Sequence, residues 1–212
     1  MKFVITASMM ALCSQSFAGD YMAGQDHAPS FNGCVLERRA QCPGADLRGA
    51  DLSNMDLRSA DFKGANLSGA NLSHTSLRGA NLDGASLDNV VGYRLQAYRA
   101  SMRGASLKNA DLQGMQGQYL FAQGADFSGS NLTGANFDFS RFSGASLQNA
   151  NLAFSSFEIS WLPKADLKGA NLRGANLQEA KLGLANLSNA NLTGTRIHYA
   201  TFEGTYMEGC TA

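Results

Sequence analysis

Large apolar side chains recur at nearly every fifth position from Leu47 to Met207. The first repeat reads Ala-Asp-Leu-Arg-Gly over residues 45–49, and the same phase holds along the rest of the chain. We call the residue equivalent to Leu47 the centre position, Ala45 the small position and Gly49 the corner position. A single period of this kind indicates one repeated structural unit.

A period of five excludes a straight element. An α-helix advances about 500° in five residues, so successive leucines would point to all sides. A straight strand alternates faces, so an odd period would send successive leucines to opposite faces. The pattern therefore predicts short extended segments separated by corners of about 90°, with about 20 residues per coil and about 4.8 Å between coils. The centre and small positions point inward, and the other three positions face solvent.

Four repeats depart from this pattern, because their centre position is small. In each of them the other inward position is large, which preserves the volume of a close-packed interior. We therefore expect the coil to continue through residues 90–99 and 115–123, although disordered hairpins there are the alternative. The paired residues are Val90 with Gly92, Leu95 with Ala97, Met115 with Gly117, and Leu120 with Ala122.

The tandem Ala-(Asp/Asn)-Leu-x-Gly pattern from Ala45 to Met207 resembles the pentapeptide-repeat family. The resemblance implies an all-β fold, a right-handed quadrilateral (square) β-helix solenoid, usually capped at its ends and often dimeric. At about 20 residues per coil, the repeats would make about eight coils. Some proteins with this repeat protect type II topoisomerases by imitating duplex DNA, which the resemblance offers as one function.

Residues 1–18 have the pattern of a secretory signal peptide. An apolar run from Phe3 to Leu12 precedes a small-x-small site that ends at Ala18, so we expect cleavage before Gly19 and export to the periplasm or the extracellular space. Lipid modification of Cys13 is the alternative. The apolar run is about half the roughly 20 residues that span a bilayer, so we predict no transmembrane segment.

Residues 19–44 precede the repeats and are expected to cap the first coil with Phe31, Val35 and Leu36. Residues 45–212 are then the β-helix with a short C-terminal tail.

Three cysteines, Cys34, Cys42 and Cys210, follow the predicted cleavage site. Because export brings them to an oxidising compartment, Cys34 and Cys42 are a candidate disulfide that fastens the cap. Two buried free thiols at these positions remain the alternative.

The charges and polar residues argue against several functions. The chain has 17 basic and 17 acidic residues, so neither nucleic-acid binding nor imitation of DNA is favoured. His74 and His198 are about six coils apart, roughly 30 Å at the strand spacing, so they cannot share a catalytic site. We find no phosphate-binding loop or metal-ligand spacing. The sequence predicts no catalytic residue, no cofactor and no metal, and thus no enzyme.

One outward region is apolar where the repeat is otherwise polar. Tyr119, Phe139 and Ile159 share one column, and Phe121, Arg141 and Trp161 share the next column around the corner. We call these six residues the aromatic stripe. Arg141 is expected to be within cation–π reach of Phe121 or Trp161. Exposed large side chains that cluster on a soluble protein indicate a contact surface, while mutual shielding of the rings is the alternative.

The sequence therefore favours an exported, non-catalytic scaffold or interaction protein that uses a rigid rod surface. Its expected partner is another protein or a second copy of the chain. Because aromatic rings also stack on sugars, a glycan is a further candidate ligand. Protection of a topoisomerase by DNA mimicry is the alternative that the export signal and the neutral charge disfavour.

Overall fold

The computed structural model describes residues 28–211. The predicted signal peptide and the first part of the predicted cap, up to residue 27, lie outside the described residues. Residues 28–211 form a short hairpin followed by a stack of single β-bridges. Within that range there is no helix that is long and apolar enough to cross a bilayer.

The hairpin consists of β1 (Ser30–Phe31) and β2 (Cys34–Val35), which pair antiparallel. Asn32 and Gly33 connect them with φ angles of 47° and 81°. Asn-Gly is the preferred sequence for a two-residue hairpin loop in which both residues have positive φ. The Asn-Gly pair predicts this hairpin, whereas the five-residue period does not.

The hairpin covers the first coil with only some of the expected residues. Phe31 packs against the interior and Leu36 is buried, as predicted. Val35 is 48% exposed, so the prediction for this residue was wrong. Because side chains alternate along a strand, Cys34 points inward and its neighbour Val35 points to solvent. The structure joins Cys34 to Cys42, which lies one period before Leu47, in a disulfide.

The coil is held by parallel bridges between residues 20 apart, from Gln41 with Asp61 to Asn191 with Thr211. The Leu47 N–H donates to the carbonyl of Asn66 at 2.7 Å, and equivalent bonds recur along the chain. The chain turns after every fifth residue. Neighbouring coils therefore satisfy each other's backbone groups, which a buried chain requires.

Every fifth side chain points into the interior, as predicted. Leu107, Leu147 and Leu187 have no exposed surface. The four exceptional repeats remain in the coil, as predicted, and their large residues at the small position are all buried. In the last described coil, the centre residues Ile197 and Met207 are exposed, because no described coil packs on them.

Four phenylalanines fill the middle of the interior. Phe137 contacts Phe142 and Phe157 with ring centroids 5.1 Å apart, and Phe127 contacts Phe142 at 5.7 Å. The pairs are tilted or edge-to-face, which are preferred arrangements for aromatic rings. This aromatic cluster lies directly behind the coils that carry the aromatic stripe.

The outward Asn and Asp residues mainly stabilise the corners. The Asn71 side-chain oxygen accepts a bond from the Ser73 N–H at 3.1 Å, and the same local bond recurs in other repeats. The outward Asn residues 131, 151, 171 and 191 lie in one column, in which Asn151 and Asn171 bond amide to amide at 3.0 Å. Between Asn131 and Asn151 the Thr133 hydroxyl bridges the side chains, donating to the Asn131 oxygen at 2.7 Å and accepting from the Asn151 amide at 2.9 Å.

Candidate interaction surface

The structure places the aromatic stripe on three adjacent coils. Bridges join Phe121 to Arg141 and Arg141 to Trp161, so these three residues stack in one column. Tyr119, Phe139 and Ile159 occupy the preceding corner positions. The exposed fractions are 38% for Tyr119, 43% for Phe139 and 56% for Trp161, whereas Phe121 and Ile159 are half-buried and Arg141 is exposed.

The rings of Tyr119 and Phe139 stack on each other. Their centroids are 5.0 Å apart and their planes differ by 9°. Tyr98 meets Tyr119 edge-to-face at 5.5 Å, and the Arg99 guanidinium lies 5.2 Å from the Tyr98 centroid and 5.5 Å from that of Tyr119. Tyr119 and Phe139 therefore cover one face of each other, and the Arg99 guanidinium also lies over Tyr119. A sugar needs an open face for stacking, and this contact removes one face of each ring.

Phe121 lies between two arginines. The Arg141 guanidinium is 5.4 Å from its centroid and that of Arg103 is 4.7 Å away. Arg141 therefore stacks on Phe121, one of its two expected partners. Within residues 28–211, no cation and no aromatic ring stacks on Trp161.

Other exposed aromatic residues form separate patches. The Tyr93 ring centroid lies 5.5 Å from that of His74 and 5.3 Å from the Arg94 guanidinium. The ring of Phe154 lies over Gly174, so close that a side chain at position 174 would collide with it. Of Tyr93, Tyr98 and Phe154, the ring contacts connect only Tyr98 to the stripe.

The corner that carries the stripe differs from the other corners in its backbone chemistry. Corner residues have positive φ, which Gly and Asn tolerate and other residues adopt at a cost. One corner column consists only of Gly and Asn, from Gly49 to Gly209. The stripe column has none of these residues beyond Gly79. We call its five middle residues the corner ridge: Arg99, Tyr119, Phe139, Ile159 and Glu179, with φ of 56°, 59°, 61°, 56° and 57°.

Buried serine hydroxyls reinforce the backbone beneath the ridge. The Ser140 hydroxyl donates to the Gly117 carbonyl at 2.8 Å and accepts a bond from the Leu120 N–H at 2.9 Å. The Ser160 hydroxyl donates to the Phe137 carbonyl at 2.6 Å and accepts from the Ser140 N–H at 3.1 Å. Alanine fills most small positions, and buried hydroxyls also occur there at Thr75, Ser130 and Ser155, so a hydroxyl at this position does not by itself mark the ridge.

Some charged groups near the stripe form ion pairs and others do not. Arg103 forms an ion pair with Asp83 at 3.4 Å. Burial of Asp83 opposes its ionisation, but hydrogen bonds from Ser101 and Arg103 still hold its pKa below the ordinary value. Within residues 28–211, neither Arg99 nor Glu179 is in an ion pair, and both are exposed. These two charges at the ends of the ridge are thus open to a partner.

The described residues contain no cluster of three or more His, Cys, Asp or Glu side chains that could hold a metal ion. The first four acidic outward residues, including Asp46 and Asp51, each accept a bond from the backbone two residues ahead. Their carboxylates therefore take part in local turns. The chemistry that this surface offers is apolar and cation–π contact together with two free charges.

A family model for pentapeptide repeats, with eight copies, matches this chain, so the chain belongs to the pentapeptide-repeat family. Proteins of this family fold as right-handed β-helices and are generally non-enzymatic structural or interaction proteins. Among curated proteins no sequence match is found. The family model matches residues 30–64, 38–73, 56–91, 123–157, 150–189 and 170–209.

Solved structures of the same family are similar to this chain. A pentapeptide repeat protein, Rfr23, from the cyanobacterium Cyanothece 51142 is 25% identical over 52% of this chain and 90% of its own, with a TM-score of 0.52. A trypsin-treated form of QnrB1, a plasmid-mediated fluoroquinolone resistance protein, is 19% identical over 82% of this chain and 90% of its own, with a TM-score of 0.57. These similarities concern the fold.

Proposed function

We propose that this chain is an exported, non-catalytic scaffold that binds a protein partner, or a second copy of itself, through the corner ridge and the neighbouring stripe residues. Its body is a rod of square cross-section with about eight coils, in keeping with 20 residues per coil and the strand spacing. The Cys34–Cys42 disulfide supports export, since such bonds persist in oxidising compartments.

The observation that carries this proposal is the choice of residues at the ridge. Tyr119, Phe139 and Ile159 occupy successive positive-φ corners of one column, whereas the column from Gly49 to Gly209 uses only Gly and Asn at its corners. Each costs about 1–2 kcal/mol of backbone energy, most clearly for the β-branched Ile159. Backbone strain of this kind persists at functional sites. Partly exposed aromatic and arginine side chains are also those that dominate binding energy at protein interfaces.

Two alternatives have less support. Imitation of DNA requires a strongly acidic rod, whereas this chain has equal numbers of acidic and basic residues. A glycan would need open aromatic faces, and the stacking of Tyr119 on Phe139 covers one face of each ring.

Affinity capture from the native compartment tests the proposal. We expect Phe139→Ser combined with Trp161→Ser to lose the partner that the wild type retains, with an unchanged melting temperature. Tyr93→Ser combined with Phe154→Ser is the matched control, because it removes two aromatic rings of similar exposed fraction from patches outside the stripe. Retention of the same partner by the stripe variant would refute the proposal.

A further inference from the structure

The corner ridge has a two-fold pattern along the rod. Phe139 lies at its middle, one apolar residue follows on each side, and opposite charges close the two ends. A surface of this kind is self-complementary, because turning a second copy end over end places unlike charges opposite each other. Closed symmetric dimers use such isologous contacts, in which residue i meets residue j and j meets i.

We propose that two copies of this chain associate side by side and antiparallel along the corner ridge, about a two-fold axis that passes beside Phe139. Phe139 then meets the partner's Phe139, and Tyr119 meets the partner's Ile159. Arg99 meets the partner's Glu179 at both ends of the contact. This inference rests on the proposed function and names a second copy as the partner.

The spacing of the charges fits this arrangement. Coils follow one another at about 4.8 Å, so Arg99 and Glu179 each lie about 10 Å from Phe139 along the rod. Both ion pairs can therefore form together. The Arg99 guanidinium lies over the rings of Tyr98 and Tyr119. Stacking uses the face of the guanidinium and leaves the N–H groups at its edge for a carboxylate.

The charges of Arg99 and Glu179 also favour the antiparallel direction of the two rods and one register between them. A parallel pair would place Arg99 against the partner's Arg99 and Glu179 against the partner's Glu179. A slip by one coil would place Arg99 against the partner's Ile159 and leave the carboxylates unpaired. Like charges and unpaired charges at an interface disfavour such arrangements.

The neighbouring column of Phe121, Arg141 and Trp161 is related to its copy in the partner by the same two-fold axis. Phe121 and Trp161 lie one coil on either side of Arg141, so Phe121 meets the partner's Trp161. The same axis brings Arg141 near the partner's Arg141, a like-charge contact that weakens the dimer. Because the contact follows one edge of a narrow rod, we expect a dissociation constant on the order of micromolar.

Sedimentation velocity of the purified chain tests the proposal with two charge reversals. Arg99→Glu and Glu179→Arg should each weaken self-association at least about tenfold, because each creates two like-charge contacts per dimer. An equimolar mixture of the two variants should associate to within about threefold of the wild type, because every contact in the mixed dimer again joins unlike charges. Arg141→Gln should strengthen association.

The control is Arg94→Glu, which reverses an exposed arginine at a corner position of another column. It should leave self-association unchanged, and circular dichroism should show the same fold for all variants. A wild type that stays monomeric, or a mixture that fails to associate, would overturn the antiparallel dimer. If partner capture still depended on Phe139 and Trp161, the proposed function would stand while this inference failed.

Discussion

Phe137 fills the space that Gly117 leaves one coil earlier in the same inward column. A Cβ atom at position 117 would lie 2.8 Å from Cδ1 of Phe137. Gly92 and Leu112 have the same relationship, again at 2.8 Å. The interior therefore keeps its density by exchanging volume between neighbouring coils as well as within one repeat.

We expect Gly117→Ala to lower the free energy of unfolding by about 1–3 kcal/mol, because the added methyl group collides with the Phe137 ring. Gly117 does not have positive φ, so the effect would be steric alone. Gly183→Ala is the matched control, since Gly183 also lacks positive φ and its nearest neighbour would lie at 3.7 Å. Denaturant unfolding measures both variants, and equal stability for the two would contradict this packing.

Removing the Ser140 hydroxyl should weaken the backbone beneath the corner ridge. Ser140→Ala deletes one bond to the Gly117 carbonyl and one from the Leu120 N–H, both buried. We expect a loss of about 1–3 kcal/mol in the free energy of unfolding. Alanine is the usual residue at this position, so no steric effect adds to the loss. An unchanged denaturation midpoint would show that these bonds contribute nothing.

The stability of the protein at acidic pH should depend on a carboxylate in the first repeat. Hydrogen bonds from the Arg48 side chain and backbone lower the pKa of Asp46 to about 2, from an ordinary value of 3.8. Because the folded pKa is the lower one, this contribution is present above about pH 4 and is lost as the pH falls toward 2. Carbon-detected NMR titration should show this shift, and Arg48→Gln should return the Asp46 pKa toward 3.8. An Asp46 carboxyl that titrates normally in the wild type would contradict the contact.

The sequence predicts the inward columns because one strict period controls both burial and stacking. Leu147 and Leu187 are buried, and Val90 and Leu120 exchange volume with their small partners. The same period predicts that Phe121, Arg141 and Trp161 stack, which the bridges bear out.

Features that depend on local side-chain geometry could not be predicted from the five-residue period. The period does not reveal that Arg99 stacks on Tyr98 and Tyr119, because side-chain direction at a corner depends on φ. Val35 was expected to shield the first coil, but strand alternation turns it outward. The period also does not reveal that the Thr133 hydroxyl bridges the side chains of Asn131 and Asn151.

The central claim is that the ridge holds bulky side chains at strained corners for binding, at the expense of stability. Ile159→Asn tests it most directly, because Asn tolerates positive φ and Ile159 is the β-branched residue of the ridge. The reverse change, Asn149→Ile, places the same strain in the Gly and Asn column and should only destabilise the rod.

Unfolding free energy and association should therefore be measured together for wild type and Ile159→Asn. The account predicts that the variant gains about 1 kcal/mol of stability and loses association. A variant that is less stable than the wild type and associates equally well would contradict it.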